Sequence, residues 1–475
     1  MRPSPNLVLV LLNASALSLG AGCGAGGDIG EGRETEPLAG AEAAVTAPID
    51  APARRSAAIR VTEAGSGIGT VTSFPAGIAC GRACSARFPG GATVTLLATA
   101  HHGSRFVGWS GACSGLRNPC TVVVDAAASV TANFSHGGSG LPVPNGGGIA
   151  RPIGRHGNLR VLDWAGFKGA VSYSFDDAFP SQVAGDNYDV IHATGIPVTY
   201  YIVPSQADLN VAAWRRVRAG GNEIGNHTLN HCFIQDGALT GCLYGGAAAQ
   251  GDTPVSQITD ATAYIEDTLG ASGVWTMAGP YGDTGWGTPA EEAHMLINRD
   301  VDYSASQTAI HPGDITNRFH APSYLFGDQY GGLGQTTEAI NGRIDAARTD
   351  GIWYIFLFHS LSPVATPDVS TCCEVPAANV AASLDHINSL GDVWGGPVVD
   401  VGAYWIGQVV VQQADGVTRH GVTTWTWELP AGFPPGKYVR VTVDGGALSQ
   451  GRKDLVWDEH GYYEVALDAR ELTLK

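Results

Sequence analysis

Positive charge is scarce in this chain: 27 Lys and Arg stand against 44 Asp and Glu, a formal net charge of -17 over 475 residues. Such an acidic surface repels phosphate backbones, so nucleic acid is not an expected partner. Long apolar runs are scarce at the N-terminus too. The stretch from Leu7 to Leu12 is too short and too interrupted to span a bilayer. Between Gly24 and Ser56 aromatic and branched apolar residues almost vanish, and Gly, Ala and Glu dominate. A segment of that kind buries too little surface to offset its ordering entropy. It reads as a disordered tether over residues 23–57.

What is present fits an exported protein. Arg2, the short apolar run and the small residues that follow read as a signal peptide over residues 1–22. Cys23 comes next, preceded by Leu19-Gly20-Ala21-Gly22, which resembles a lipobox with its leucine one position too early. A lipid anchor at Cys23 would be the only membrane contact; plain secretion is the alternative. Either places the mature protein outside the cytoplasm, in the cell envelope or the medium, where disulfides persist. Setting Cys23 aside leaves eight of the nine cysteines, an even number suited to bridges.

The length allows two or three domains. Residues 58–135 show short alternating strands separated by Gly and Pro turns, a small all-β module. Cys80 and Cys84 share one turn, and Cys113 and Cys120 another, so local bridges are expected within this module. Trp109 is read as a core residue in preference to a sugar-stacking platform. Phe106-Val107-Gly108-Trp109-Ser110-Gly111 and the closing Ser129-Val130-Thr131-Ala132-Asn133-Phe134 resemble the divergent β-repeat modules of bacterial surface proteins. Residues 136–148 form a Gly/Pro linker.

Residues 149–405 alternate apolar runs with helical patterns, which predicts a distorted (β/α) barrel with functional groups at the C-terminal strand ends. Strands are predicted at Ala170–Phe175, Pro197–Val203, Asn222–Asn226, Val274–Ala278, Tyr303–Gln307, Trp353–Phe358 and Val398–Val401. A helix is predicted over Pro289–Asn298. Residues 406–475 return to short strands, a β-sandwich-like module. The fold class is therefore α/β, with small all-β modules before and after the barrel.

The chemistry concentrates in two places. Ser174-Phe175-Asp176-Asp177 ends a buried strand, and His227-Thr228-Leu229-Asn230-His231 follows about fifty residues later. One carboxylate and two imidazoles make a three-ligand divalent metal site, and a second carboxylate beside it can act as a base. Histidines at i and i+4 on a helical turn would converge on one ion. Asp176 and Asp177 would leave their strand in opposite directions, one to ligate and one to address water. His359 ends the apolar strand Ile355–Phe358, on the catalytic face of a barrel. The backbone N–H of Tyr281 can help to stabilise an oxyanion.

These residues resemble the motifs of the polysaccharide deacetylases, carbohydrate esterase family 4. Ser174-Phe175-Asp176-Asp177 matches the first motif, with Ala178 in place of its glycine. His227 to His231 matches the second, Gly279-Pro280-Tyr281-Gly282 the end of the third, and the strand ending at His359 the fifth. The resemblance implies that Asp177, His227 and His231 hold a metal, zinc by preference and cobalt or manganese as alternatives. It implies Asp176 as general base and His359 as general acid. The implied substrate is an acetylated polysaccharide, N- or O-acetylated.

Two departures stand out. The third motif normally begins with an arginine that orients the base, and Ala278 occupies that position. Arg318 is a candidate substitute from another loop. The fourth motif, an acid that supports the catalytic histidine, has only weak candidates. Asp302 falls at the start of its predicted strand, and Asp314 follows that strand. The rival expectation is a catalytically reduced homologue that binds glycan at the cell surface. Cys232 can bridge Cys242 and fix the loop that carries the histidines. Cys372 and Cys373 follow the His359 strand, and their partners are open. Oligomeric state is open as well.

Overall fold

The computed structural model describes residues 56–475, apart from 66–68, 81–82, 101–103, 115–117, 137–138, 155, 245–250, 303–308, 328–331, 364–372 and 452. The expected signal peptide, the Cys23 anchor, nearly all of the tether, the strand at Tyr303–Gln307 and Cys372 lie outside the described residues. No helix among the described residues is long and apolar enough to cross a membrane.

The N-terminal module is a β-sandwich. One sheet orders Ser85–Phe88, Ala57–Gly65, Ala128–His136 and Ser104–Gly111, and the other orders Gly69–Phe74, Thr93–Ala100 and Cys120–Val123. Alternate residues such as Ile59, Val61, Val94, Leu96, Val130 and Phe134 fill the space between them. Trp109 lies in this core, 4% exposed, with its ring edge-on to Phe106 at 5.1 Å. Disulfides join Cys80 to Cys84 and Cys113 to Cys120.

Eight parallel strands build the barrel: β1 (Gly169–Phe175), β2 (Thr199–Ile202), β3 (Glu223–Asn226), β4 (Thr276–Ala278), β5 (Ile297–Arg299), β6 (Ser323–Leu325), β7 (Trp353–Phe358) and β8 (Val393–Gly395). They run in the order β5-β4-β3-β2-β1-β7-β6, with β8 pairing with the first half of β1. A parallel bridge between Arg299 and Ala321 brings β6 back to β5 and nearly closes the barrel. Every residue of β1 and β7 is buried, as expected of parallel strands covered on both faces. Rings stack across these strands, Phe175 on Tyr200 at 5.0 Å and on Phe358 at 5.3 Å. Helices α1 (Asn187–His192), α2 (Val211–Ala219), α3 (Pro254–Asp267), α4 (Gly287–Glu292), α5 (Thr337–Asp350), α6 (Ala377–Leu390) and α7 (Val398–Gln412) connect or cover the strands. Gly351 and Gly391, both left-handed, end α5 and α6.

Two predicted elements differ from the structure. Pro289–Asn298 is not one helix: α4 stops at Glu292 and Ile297 begins β5. The short apolar run Met295-Leu296-Ile297 suits either state by periodicity, and pairing with β4 decides for strand. Val398–Val401 is the first turn of α7, not a strand. Its β-branched residues read as strand, but the helix is buried on nearly all sides, so no amphipathic period shows.

α7 and the strand Arg160–Val161 tie the barrel to the C-terminal sheets. Arg160–Val161, which precedes β1, pairs with Tyr438–Thr442 near the C-terminus. Arg440 is wholly buried there; it donates to the carbonyls of Pro142 and Ala165 and pairs with Glu464. One apolar cluster runs from Trp164 and Trp353 in the barrel to Val439, Val441 and Leu472.

Peptide mapping without reduction is expected to recover Cys80–Cys84, Cys113–Cys120 and Cys232–Cys242 as linked pairs. Free thiols at those positions, or crossed pairs, would contradict the packing described.

Candidate active site

Parallel register places the site. Phe358 lies opposite Phe175, so Asp176 and His359 leave the same rim of the barrel side by side. Asp176 N–H donates to the carbonyl of Phe358, and the amide of buried Gln182 bridges the carbonyls of Asp176 and His359. Ile202 pairs with Asn226, and Asn226 with Met277, so the segment after β3 reaches the same rim.

The two carboxylates do not simply alternate. Asp177 has φ 72° and Ala178 φ 59°, so the chain turns through two left-handed residues at the strand end. That turn sends both carboxylates into one site. The Nε2 of His227 stands 3.6 Å from a carboxylate oxygen of Asp176 and 3.6 Å from one of Asp177. A left-handed alanine carries a Cβ penalty that glycine lacks, so Ala178 holds local strain at the floor of the site.

His227 and His231 converge, but not on a helix. They sit in a loop after β3, where Thr228 has φ 64° and His231 φ 52°. Asn226 accepts from the N–H of Thr228, and the N–H of His231 donates to the Thr228 hydroxyl at 3.1 Å. Gln257 on α3 accepts from the N–H groups of Leu229 and Asn230. Side-chain hydrogen bonds thus replace the helical ladder and bring the ring centroids to 4.8 Å. The Nδ1 of His227 donates to the carbonyl of Ala278 at 2.8 Å, which leaves Nε2 to face Asp177.

A hairpin grows from this loop. Phe233–Gln235 pairs with Ala238–Thr240 around Asp236-Gly237, both with positive φ as a tight hairpin turn requires. Disulfide Cys232–Cys242 closes its base, immediately after His231. Phe233 stacks on Tyr281 at 3.5 Å, and Tyr281 stands edge-on to His231 at 4.4 Å. Asp283 accepts from the N–H of Ile234 and locks the hairpin to the loop that carries Tyr281.

Sequence reasoning missed Arg299. It ends β5, is wholly buried, and its Nη2 contacts both carboxylate oxygens of Asp176. Nη1 donates to the Ser323 hydroxyl at 2.9 Å, and the Tyr201 ring covers the guanidinium at 5.2 Å. Arg318, the candidate from sequence, donates instead to the carbonyl of Leu296 and lies over Phe319. The helix predicted over Pro289–Asn298 conceals the strand end on which Arg299 stands. The one available signal was an arginine closing an apolar run.

The weak candidates for supporting His359 fare differently from their placement by sequence. Asp302 lies just beyond the end of β5, and its N–H donates to the carbonyl of Ser323; the strand expected after it lies outside the described residues. Asp314 is exposed and accepts from the N–H of Thr316. The Nδ1 of His359 is buried and has no hydrogen-bond partner among the described residues. Its Nε2 lies 3.9 Å from Asp177.

Charge in the site follows from burial and from Arg299. Burial alone would raise Asp176, but the guanidinium, with His227 and His359, outweighs it and holds the carboxyl below its usual range. Burial pushes His227 down and His231 well down, and takes His359 to about 4. All three imidazoles are neutral at pH 7, with lone pairs available. One donor atom from each of Asp177, His227 and His231 lies within 4.8 Å of the others. The His231 Nε2 stands 3.3 Å from the Asp177 oxygen. Ligands about 2.0–2.2 Å from a tetrahedral ion stand roughly 3.3–3.6 Å apart, so this donor set fits a divalent metal.

Residues 166–296 match the family model for polysaccharide deacetylase, and residues 60–138 match the divergent InlB B-repeat domain. The deacetylase match spans β1 to β4 and ends where β5 begins. The match contains Asp176, Asp177, His227, His231 and Tyr281, and stops short of Arg299 and His359. No curated protein matches the chain. Among solved structures, a family 4 carbohydrate esterase from Streptomyces lividans in complex with acetate is similar at 16% identity and TM-score 0.31, covering 48% of this chain and 93% of that one. The peptidoglycan deacetylase PdaC of Bacillus subtilis is similar at 15% identity and TM-score 0.27, over 50% and 92%. A mutant of a carbohydrate esterase family 4 pseudoenzyme with restored activity is similar at 11% identity and TM-score 0.32, over 54% and 72%.

The depressed imidazoles of the site have a pH consequence. An unfolded histidine takes up a proton below about pH 6.5, and a buried one held near 4 does not. The unfolded chain therefore binds more protons in that window, and stability falls as pH falls through it. The melting temperature of the metal-free protein is expected to drop between about pH 7 and about pH 4.5, and His359→Gln to reduce the drop. A profile identical in the variant would contradict the burial of a neutral His359.

Proposed function

We propose that this protein is an exported, metal-dependent hydrolase that removes acetyl groups from a polysaccharide. One observation carries the reading: an arginine-held carboxylate, Asp176, stands beside a buried Asp177–His227–His231 donor set. Two adjacent carboxylates in different settings suit two different tasks. Zinc fits the donor set best, and cobalt and manganese share its geometry closely enough to substitute. The bound ion would supply a Lewis acid for the acyl oxygen and acidify a water.

The chain's own groups do the remaining work. Asp176, negative and fixed by Arg299, accepts the proton of the attacking water. The neutral His359 on the neighbouring strand end relays that proton from Asp176 to the leaving amine or alkoxide, so both groups end the cycle as they began it. Tyr281, whose ring stacks on Phe233, would offer its N–H to the acyl oxygen. Export, by lipid anchor at Cys23 or by secretion, is supported by the N-terminal sequence and by the disulfides. Acetylated glycan is the substrate class that fits such a location.

A second reading, a catalytically reduced barrel that binds glycan, is favoured by His359. Its Nδ1 has no carboxylate partner among the described residues, and its basicity is low. Acetate release from acetylated chitin oligomers, peptidoglycan and acetylated xylan separates the two. Asp176→Asn is expected to lower kcat by about 10²–10⁴-fold with the metal retained. His227→Ala is expected to lose both metal and activity. No acetate from any substrate by the unaltered, zinc-loaded protein would leave the binding reading standing.

A further inference from the structure

A fully buried guanidinium is unusual, because arginine loses its hydration and must recover it from matched acceptors. Arg299 is 0% exposed. Its contacts come from three other strands or strand ends: Asp176 after β1, Tyr201 on β2 and Ser323 on β6. Ser323 is itself fixed, since its hydroxyl donates to the carbonyl of Asp300 at 2.6 Å. So the guanidinium has one orientation, and that orientation addresses both oxygens of one carboxylate. Such a grip fixes both the rotation of Asp176 and its charge.

The position of Arg299 in the barrel carries the inference further. Ala278 on β4 and Arg299 on β5 are register partners. Register partners on adjacent parallel strands present their side chains to the same face, about 4.8 Å apart. Ala278 is wholly buried, and its carbonyl receives His227, so β4 at this level is part of the site and offers no charge to it. An arginine side chain is long enough to make up one strand spacing.

We propose that Arg299, from β5, positions Asp176 as the base, doing at this register level what Ala278 on β4 cannot; this rests on the deacetylase reading above. Asp176 held by Arg299 cannot turn to join His227 and His231, although it lies within 3.6 Å of His227. The grip therefore also keeps Asp176 out of the metal ligand set and leaves ligation to Asp177. Arg299 touches no reacting atom; it is a positioning residue. A merely structural arginine would affect folding only, and its place could not be taken from β4.

The test compares the full chain with Arg299→Lys, Arg299→Ala and Ala278→Arg/Arg299→Ala. It reads kcat and KM for acetate release, zinc content and melting temperature. Lysine keeps the charge, so that variant is expected to fold, but one ammonium cannot grip both oxygens and Ser323 together. Its kcat is expected to fall about 10²-fold, with KM nearly unchanged and zinc retained. Moving the arginine to position 278 is expected to restore about tenfold or more of what Arg299→Ala loses. Parental kcat in a folded Arg299→Lys or Arg299→Ala would overturn the proposal, as would a folded double variant with no recovery. If Arg299→Ala does not fold, Arg299→Lys decides alone. If the parent releases no acetate, the deacetylase reading fails by itself, and diffraction from zinc-loaded Arg299→Lys crystals decides the positioning role. Asp176 turned toward the ion would support the role; Asp176 unmoved would overturn it.

Discussion

Two adjacent carboxylates are buried at the end of one strand, and the rest of the site is arranged around that burden. A buried carboxylate without compensation costs several kcal/mol. Asp176 is compensated within the chain, by a guanidinium on the far side of the barrel. Asp177 faces two neutral imidazoles, a set matched to a cation. The asymmetry between the residues is a matter of partners and not of sequence, since both are aspartates on the same turn. In the proposed chemistry it divides a proton acceptor from a metal ligand.

The backbone bears part of the cost. Left-handed residues at Asp177, Ala178, Thr228, His231 and Tyr281 surround the site. None of them is glycine, and each would relax if released. What holds them is local and specific: Gln182 across the β1 and β7 ends, Asn226 and Gln257 around the histidine loop, Asp283 under the hairpin. The Cys232–Cys242 bridge begins one residue after His231, so the covalent staple and the site share a foundation. The C-terminal sheets support the barrel from its flank, through α7 and buried Arg440.

Much of this was legible in the residues. Alternating apolar and helical stretches predict the barrel, and β1 and β7 fall where the longest buried runs stand. The structure brings Asp176, Asp177, His227, His231, His359 and Tyr281 to one rim. They meet for reasons that local spacing does not carry. The histidines converge through a left-handed loop braced by side chains, and an i,i+4 spacing does not distinguish that from a helical turn. The carboxylates share a site because of two positive φ values, which a strand's period of two does not reveal. Arg299 was hidden for a plain reason. Its partner is 123 residues away in sequence, and only strand order and register bring them together. Local periodicity carries no information of that kind.

Asp176 and Asp177 are told apart by which would hold an ion and which is held by Arg299. Zinc-edge anomalous diffraction from zinc-soaked crystals of the full chain addresses that directly. One anomalous peak is expected, about 2.0–2.2 Å from an Asp177 oxygen and from the Nε2 atoms of His227 and His231, with Asp176 still on Arg299. A peak ligated by Asp176, or no peak among these residues, would contradict that assignment.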